Sequence, residues 1–370
     1  MIKRVKWIIA SFVIISLSAC TVGCFFVYNF ADITDHKIFP SRTLTKSIQP
    51  FEFEKRADLK KPKNFKINGE EVDFDEYLEN NKTVAFLVIK NDTIQYEQYY
   101  NKYEESSIVA SFSMAKSVTS MLIGFAIQDG LIDSEEDLVT KYVPELKEQG
   151  FDKVSLKHLL QMTSAMEFNE SYVNPFGHAA KYYYGRNLRK VLSKAKLAGV
   201  PGTYFEYQSG QTQLLGLALE RALNGKTITA YLQEKIWTPL GMEYDASWSL
   251  DRKKNGLEKT FCCLNARAHD FAKLGRFYLN KGKWNGEQLL NENWIEKSTK
   301  RDTTNGSVQN YQYQWWLKGS EGDYAAEGIL GQYIYVHPEK NIIIVRLGKN
   351  YGKTSWTSIF KALANAYSKS

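Results

Sequence analysis

Ser113-Met-Ala-Lys116 sets a hydroxyl and an amine three residues apart, at the head of an uncharged apolar stretch running from Val118 to Gln128. Residues at that spacing share a helix face, so the amine can reach the hydroxyl. A helix that is apolar on every side is buried in a large protein, and burial lowers a lysine pKa toward a value at which the amine accepts a proton. The pair reads as a nucleophile and its base. The spacing alone is common, since Ser193-Lys-Ala-Lys196 and Ser358-Ile-Phe-Lys361 match it too, but neither lies in such an apolar context.

A second group of residues follows at Pro201-Gly-Thr-Tyr-Phe-Glu-Tyr207-Gln-Ser209. Taken alone, a Tyr-x-Ser after a Pro-Gly turn is a packed tyrosine and a turn serine. Taken with Ser113 and Lys116, and with the phrases Leu159-Leu-Gln-Met-Thr-Ser164 and Asp270-Phe-Ala-Lys-Leu-Gly275, it resembles the serine β-lactamase and penicillin-binding-protein-like superfamily. The likeness runs from about residue 75 to about 365. Within that superfamily the stretch Ala325 to Val336 is similar to the strand beside the active site in the 6-aminohexanoate-dimer hydrolase and esterase branch, which is related to class C β-lactamases.

The resemblance implies an acylated Ser113, Lys116 as its base and Tyr207 as the proton shuttle to the leaving group. It also implies an oxyanion hole of the Ser113 and Ile329 N–H groups, and a substrate edge of Ser209, Gly328, Glu327 and Tyr172. One departure is informative. Penicillin-recognising members carry Lys-Thr-Gly, or His in its first place, where this chain has Ala326-Glu-Gly328. Glu327 would repel a substrate carboxylate if it faced the cleft, and strand alternation could instead turn it away.

The same residue types suffice for the chemistry without the family. Acyl transfer to a serine needs a nucleophile, a base, donors for the tetrahedral oxygen and an acid for the leaving group. A tyrosine near its ordinary pKa is a poor base unless a neighbouring cation lowers it, a role open to Lys116. The expected function is an exported serine hydrolase acting on small amide or ester substrates. The alternatives are a β-lactamase or D-alanyl-D-alanine carboxypeptidase, and a non-catalytic envelope protein that binds ligands in the same cleft.

The elements that must position these groups follow from periodicity. Val84–Lys90, a turn at Asn91-Asp92 and Thr93–Tyr100 read as a hairpin. Strand character returns at Gln332–Val336 and Asn341–Arg346, Ser355 to Tyr367 reads as a closing helix, and Ser113 to about Leu223 reads as mostly helical. Strands at both ends with helices between them predict an α+β fold, which the resemblance implies is β-lactamase/transpeptidase-like. An antiparallel sheet flanked by helices would come from about 75–110 and 310–368, with an inserted helical region over about 111–260.

Composition narrows the partners. Residues 1–66 hold twelve Lys and Arg against five Asp and Glu, which accounts for the whole net charge of +7. The hydrolase domain, residues 71–368, is thus not a basic nucleic-acid binder, although the whole chain carries 23 Tyr, 20 Phe and 8 Trp. Behind Lys3, Arg4 and Lys6, the uncharged span Trp7–Tyr28 is long enough to cross a bilayer. Residues 1–28 are read as a membrane anchor that places the domain outside the cytoplasm, with a lipidated Cys20 or a cleaved signal as alternatives, and 29–70 as a tether. Cys262 and Cys263 are adjacent, a spacing that disfavours a disulfide. The five His are scattered, so neither a metal nor another cofactor is expected.

Overall fold

The computed structural model describes residues 30–59, 61–62, 65–67 and 69–368. In chain order the elements that build the site are β1 (Ser41–Leu44), β2 (Glu54–Lys55), α1 (Phe74–Asn80), β3 (Thr83–Lys90), β4 (Thr93–Tyr99), β5 (Val109–Ala110) and α2 (Met114–Gln128). They continue with α3 (Ser209–Ala222), β6 (Ala246–Ser249), β7 (Leu264–Ala266), α4 (Ala268–Leu279), β8 (Tyr311–Gln312), β9 (Trp315–Leu317) and β10 (Tyr324–Gly328). Three more close the chain: β11 (Gln332–His337), β12 (Ile342–Gly348) and α5 (Trp356–Ser368).

Eight strands form one sheet in the order β8-β9-β10-β11-β12-β3-β4-β2, so the two ends of the chain meet at the β12–β3 pair. Its pairs are antiparallel except β2 with β4. Asn91 and Asp92 take positive φ (50° and 59°), the twist that suits a two-residue hairpin turn.

Side-chain alternation divides the core in two. Val84, Leu87, Ile89, Ile334, Val336, Ile343 and Val345 face α2 and α4. Phe86, Val88, Tyr333, Tyr335 and Ile344 face α1 and α5. The sheet is thus covered by helices on both sides.

Two expectations need correction. The segment read as a tether is largely part of the domain: β1 pairs with β6, β2 pairs with β4, and Ile33, Leu44 and Phe53 are buried. Its charges masked a sparse apolar pattern, in which one buried side chain every ten residues or so is enough to dock an extended arm. The region between α2 and α3 is also less helical than its periodicity suggests. It holds short helices at Leu156–Leu160, His178–Tyr183 and Leu188–Leu192, the first preceded by a turn at Gly150 and the second by one around Asn174. A four-stranded sheet, β1-β6-β7-β5, lies beside it. The Trp7–Tyr28 span and Cys20 lie outside the described residues, and among the described residues no helix is long and apolar enough to cross a membrane.

Candidate active site

Ser113 stands at the N-terminus of α2, where the chain turns from β5 into the helix. The preceding residue, Phe112, is buried in a left-handed conformation (φ 43°), a backbone state a bulky side chain rarely adopts. Its ring packs on Tyr183. This turn offers the Ser113 hydroxyl to a cleft lined by Phe112, Tyr172, Tyr183, Ser209, Phe261 and Ile329, among others. The walls are mostly aromatic and aliphatic, with the Ser113 and Ser209 hydroxyls joined by those of Tyr172, Tyr183 and Tyr184.

One turn along α2, Lys116 is buried at 1% exposure. Its Nζ lies 2.9 Å from Ser113 Oγ, 3.1 Å from Ser209 Oγ and 3.1 Å from the Phe261 carbonyl oxygen. Burial pulls the amine down to about 8, and the nearby Glu170 carboxylate partly opposes that fall. The Phe261 carbonyl reaches this point because α3 and the segment at Thr260 approach closely at Gly216. A Cβ on Gly216 would stand 2.2 Å from Thr260 Oγ1.

Tyr207 precedes α3 and is half-buried. Lys116 Nζ lies 4.9 Å from the centre of its ring, which also packs on Tyr311 and Trp316. Burial first, then Glu170, pushes the phenol well above its usual range, while a hydrogen bond with Ser113 works the other way. Tyr207 is therefore neutral. The role left open to Lys116, lowering this phenol, is not filled: burial and the Glu170 charge keep its proton on. The surroundings thus push the two protons in opposite directions, off the amine and onto the phenol.

The remaining predicted residues fall in two sets. Ile329, Tyr172 and Ser209 line the cleft. Gly328 lies against the nucleophile, where a Cβ would sit 2.5 Å from the Ser111 carbonyl oxygen and 3.1 Å from Ser113 N, so only glycine lets β10 run this close. Glu327 is not part of the cleft lining. It follows Ala325 on the α5 side of the sheet and forms an ion pair with Lys318. The expectation of a bare anion there is corrected: sequence spacing did not reveal a cation arriving from β9's end.

Sequence reading missed Glu170. Its carboxylate accepts from Ser209 N at 2.6 Å, from Ser209 Oγ at 2.5 Å and from the Tyr172 hydroxyl at 2.5 Å. No signal marked it, because an acid in a loop is ordinary surface until its partners are known. Cys262 and Cys263 are also joined in a disulfide, against expectation. Cys263 takes a left-handed φ of 72° in that segment, and Cys262 lines the cleft.

A separate cluster of Glu97, Glu105 and His269 brings ligand-type atoms together. There Glu97 is paired with Lys55, and His269, held between Glu97 and Glu243, is pushed up to about 9.

Comparison with known proteins agrees with this geometry. The family model described as Beta-lactamase matches residues 73–355. A 6-aminohexanoate-dimer hydrolase of Paenarthrobacter ureafaciens is 29% identical over 296 residues, 74% of each chain. A structure named "Putative 6-aminohexanoate-dimer hydrolase from Bacillus anthracis" superposes with a TM-score of 0.81 at 25% identity, covering 94% of this chain and 95% of the other. A family VIII carboxylesterase shares the fold (TM-score 0.63, 15% identity, 80% and 95% covered). With its sheet, its cleft and its serine-facing lysine arranged in this way, the chain belongs to the Beta-lactamase family and is a serine hydrolase.

Proposed function

We propose that the protein cleaves small amides or esters through an acyl-enzyme on Ser113. The observation that carries this reading is the buried Lys116 amine 2.9 Å from Ser113 Oγ. Lys116 takes the hydroxyl proton as Ser113 attacks the carbonyl carbon. The Ser113 and Ile329 N–H groups bind the tetrahedral oxygen. Tyr207 gives its proton to the leaving group and regains one from Lys116; water then attacks the acyl carbon while Lys116 takes its proton and passes it to the departing Ser113 oxygen, which releases the acid. Mostly apolar cleft walls favour a neutral or hydrocarbon-rich acyl chain. A purified-protein screen of linear amides, short-chain esters, D-alanyl peptides and a cephalosporin tests it. Amides and esters should lead, and a cephalosporin or D-alanyl peptide hydrolysed faster than every amide and ester would overturn the choice.

Tyr207→Phe separates the acid from its ring. The ring keeps its packing on Tyr311 and Trp316, and only the proton donor is lost. Amide turnover should fall on the order of a hundredfold, a usual scale for a positioned acid. A nitrophenyl ester should lose much less, because nitrophenolate leaves without a proton. Equal losses on both would make Tyr207 a packing residue.

Residues 1–28 are proposed to hold the enzyme at the membrane with its domain outside the cytoplasm, on the strength of the Trp7–Tyr28 span behind three basic residues. The full chain should resist carbonate extraction from membranes. Complete release would contradict the anchor.

A further inference from the structure

Hydrogen-bond direction around Lys116 is fixed from outside the catalytic group. An ionised carboxylate only accepts, so both Ser209 groups that reach Glu170 must donate: the amide at 2.6 Å and the hydroxyl at 2.5 Å. The Ser209 hydroxyl has one proton. With that proton spent on Glu170, Ser209 Oγ can only accept from Lys116 Nζ, 3.1 Å away. The Phe261 carbonyl, also 3.1 Å from Nζ, can only accept as well. A neutral lysine has two N–H groups and one lone pair. Both N–H groups are thereby assigned, and the lone pair is left facing the third neighbour, Ser113 Oγ at 2.9 Å.

We infer that Glu170 is a positioning residue, which aims the Lys116 lone pair at the nucleophile through the Ser209 hydroxyl. This rests on the acyl-enzyme reading and adds to it a residue that touches neither substrate nor nucleophile. The carboxylate also accepts from Tyr172 at 2.5 Å, so the loop that carries Glu170 and Tyr172 brings a cleft wall and the aiming group together.

Glu170→Gln is the informative change because it keeps the shape and reverses one bond. The Ser209 N–H still requires an acceptor, so the amide oxygen takes that side and the NH₂ faces Ser209 Oγ and the Tyr172 hydroxyl. Ser209 must then turn its proton toward Lys116 and occupy the lone pair. Loss of the Glu170 charge acts in a second way, since that charge holds the Lys116 pKa up. The titratable groups around this centre are Glu170 and Tyr172 from the loop, Tyr207 before α3, Tyr311, Tyr351, and Glu327 with its partner Lys318. Of these, only the Glu170 charge is removed.

The test is amide hydrolysis by the full-length protein across pH. Glu170→Gln should lower kcat on the order of tenfold to a hundredfold, leave KM within about twofold, and move the acid limb to lower pH. In a Ser209→Ala background, where no hydroxyl is left to turn, the same change should cost less than about threefold in kcat while the limb still moves. Ser209→Ala alone, the second variant should Glu170→Gln misfold, should lower kcat by about tenfold, because one N–H loses its directing acceptor. A Glu170→Gln enzyme of wild-type kcat, or losses that multiply fully in the double variant, would overturn the inference. An active Ser113→Ala enzyme would instead overturn the acyl-enzyme reading, so the two failures are distinguishable.

Discussion

Ser113→Ala is expected to abolish amide and ester hydrolysis, with a fall in kcat on the order of 10⁴-fold or more, while the fold and its thermal transition stay nearly unchanged. The magnitude follows from losing the bond-forming atom itself; removing the nucleophile of a cooperating group leaves only the contribution of binding and the oxyanion donors. Stability should be spared because the Ser113 side chain makes no capping bond to α2. Ser193 and Ser358 cannot substitute. Ser193 bonds the Lys190 carbonyl and Ser358 bonds Ser355, so each keeps local company instead of a buried amine. Hydrolysis by the purified Ser113→Ala protein within tenfold of the wild type would remove Ser113 from the chemistry.

Lys116→Ala is expected to follow closely, with kcat/KM down by about 10³-fold, within the usual range for a positioned base. The pH profile carries the sharper information. Lys116 must be neutral to take a proton, and burial sets its pKa at about 8. The wild-type rate should therefore rise with pH and level off above about 8, and this limb should be missing from the residual activity of Lys116→Ala. Lys116→Arg should not rescue, because a guanidinium stays protonated at every accessible pH. An unchanged limb in Lys116→Ala would place the base elsewhere.

Much of this was legible in the chain because the chemistry sits on regular elements. The Ser-x-x-Lys turn needed only helical spacing and an apolar continuation, and both hold in α2, whose residues from Met114 to Ala126 are all buried. The β3–β4 hairpin and the β11–β12 pair were carried by alternation and by turn residues able to take positive φ. What stayed hidden depends on contacts between distant segments. Glu170 lies in an irregular loop and gains meaning only from Ser209, 39 residues away. Glu327 looked like a charge facing substrate until Lys318 was brought beside it. The docked arm from β1 to β2 was obscured because pairing with β6 and β4 is non-local.

The family relationship gives this centre its reaction class, and the local differences shape what enters it. With Ala326-Glu-Gly328 in place of Lys-Thr-Gly, the strand beside the nucleophile lacks the cation that relatives aim at a substrate carboxylate. Lys318 is adjacent but already paired. On the proposed reading, a carboxylate-bearing substrate gains little here, whereas the apolar cleft rewards hydrocarbon burial at about 25 cal/mol per Å².

The most direct measurement is peptide mapping by mass spectrometry after the full-length protein is labelled with a fluorophosphonate. The expected result is one equivalent of covalent adduct, located on Ser113, with labelling slowed in Lys116→Ala. An adduct on any other serine, or a native enzyme that hydrolyses substrate yet takes up no label, would contradict the account.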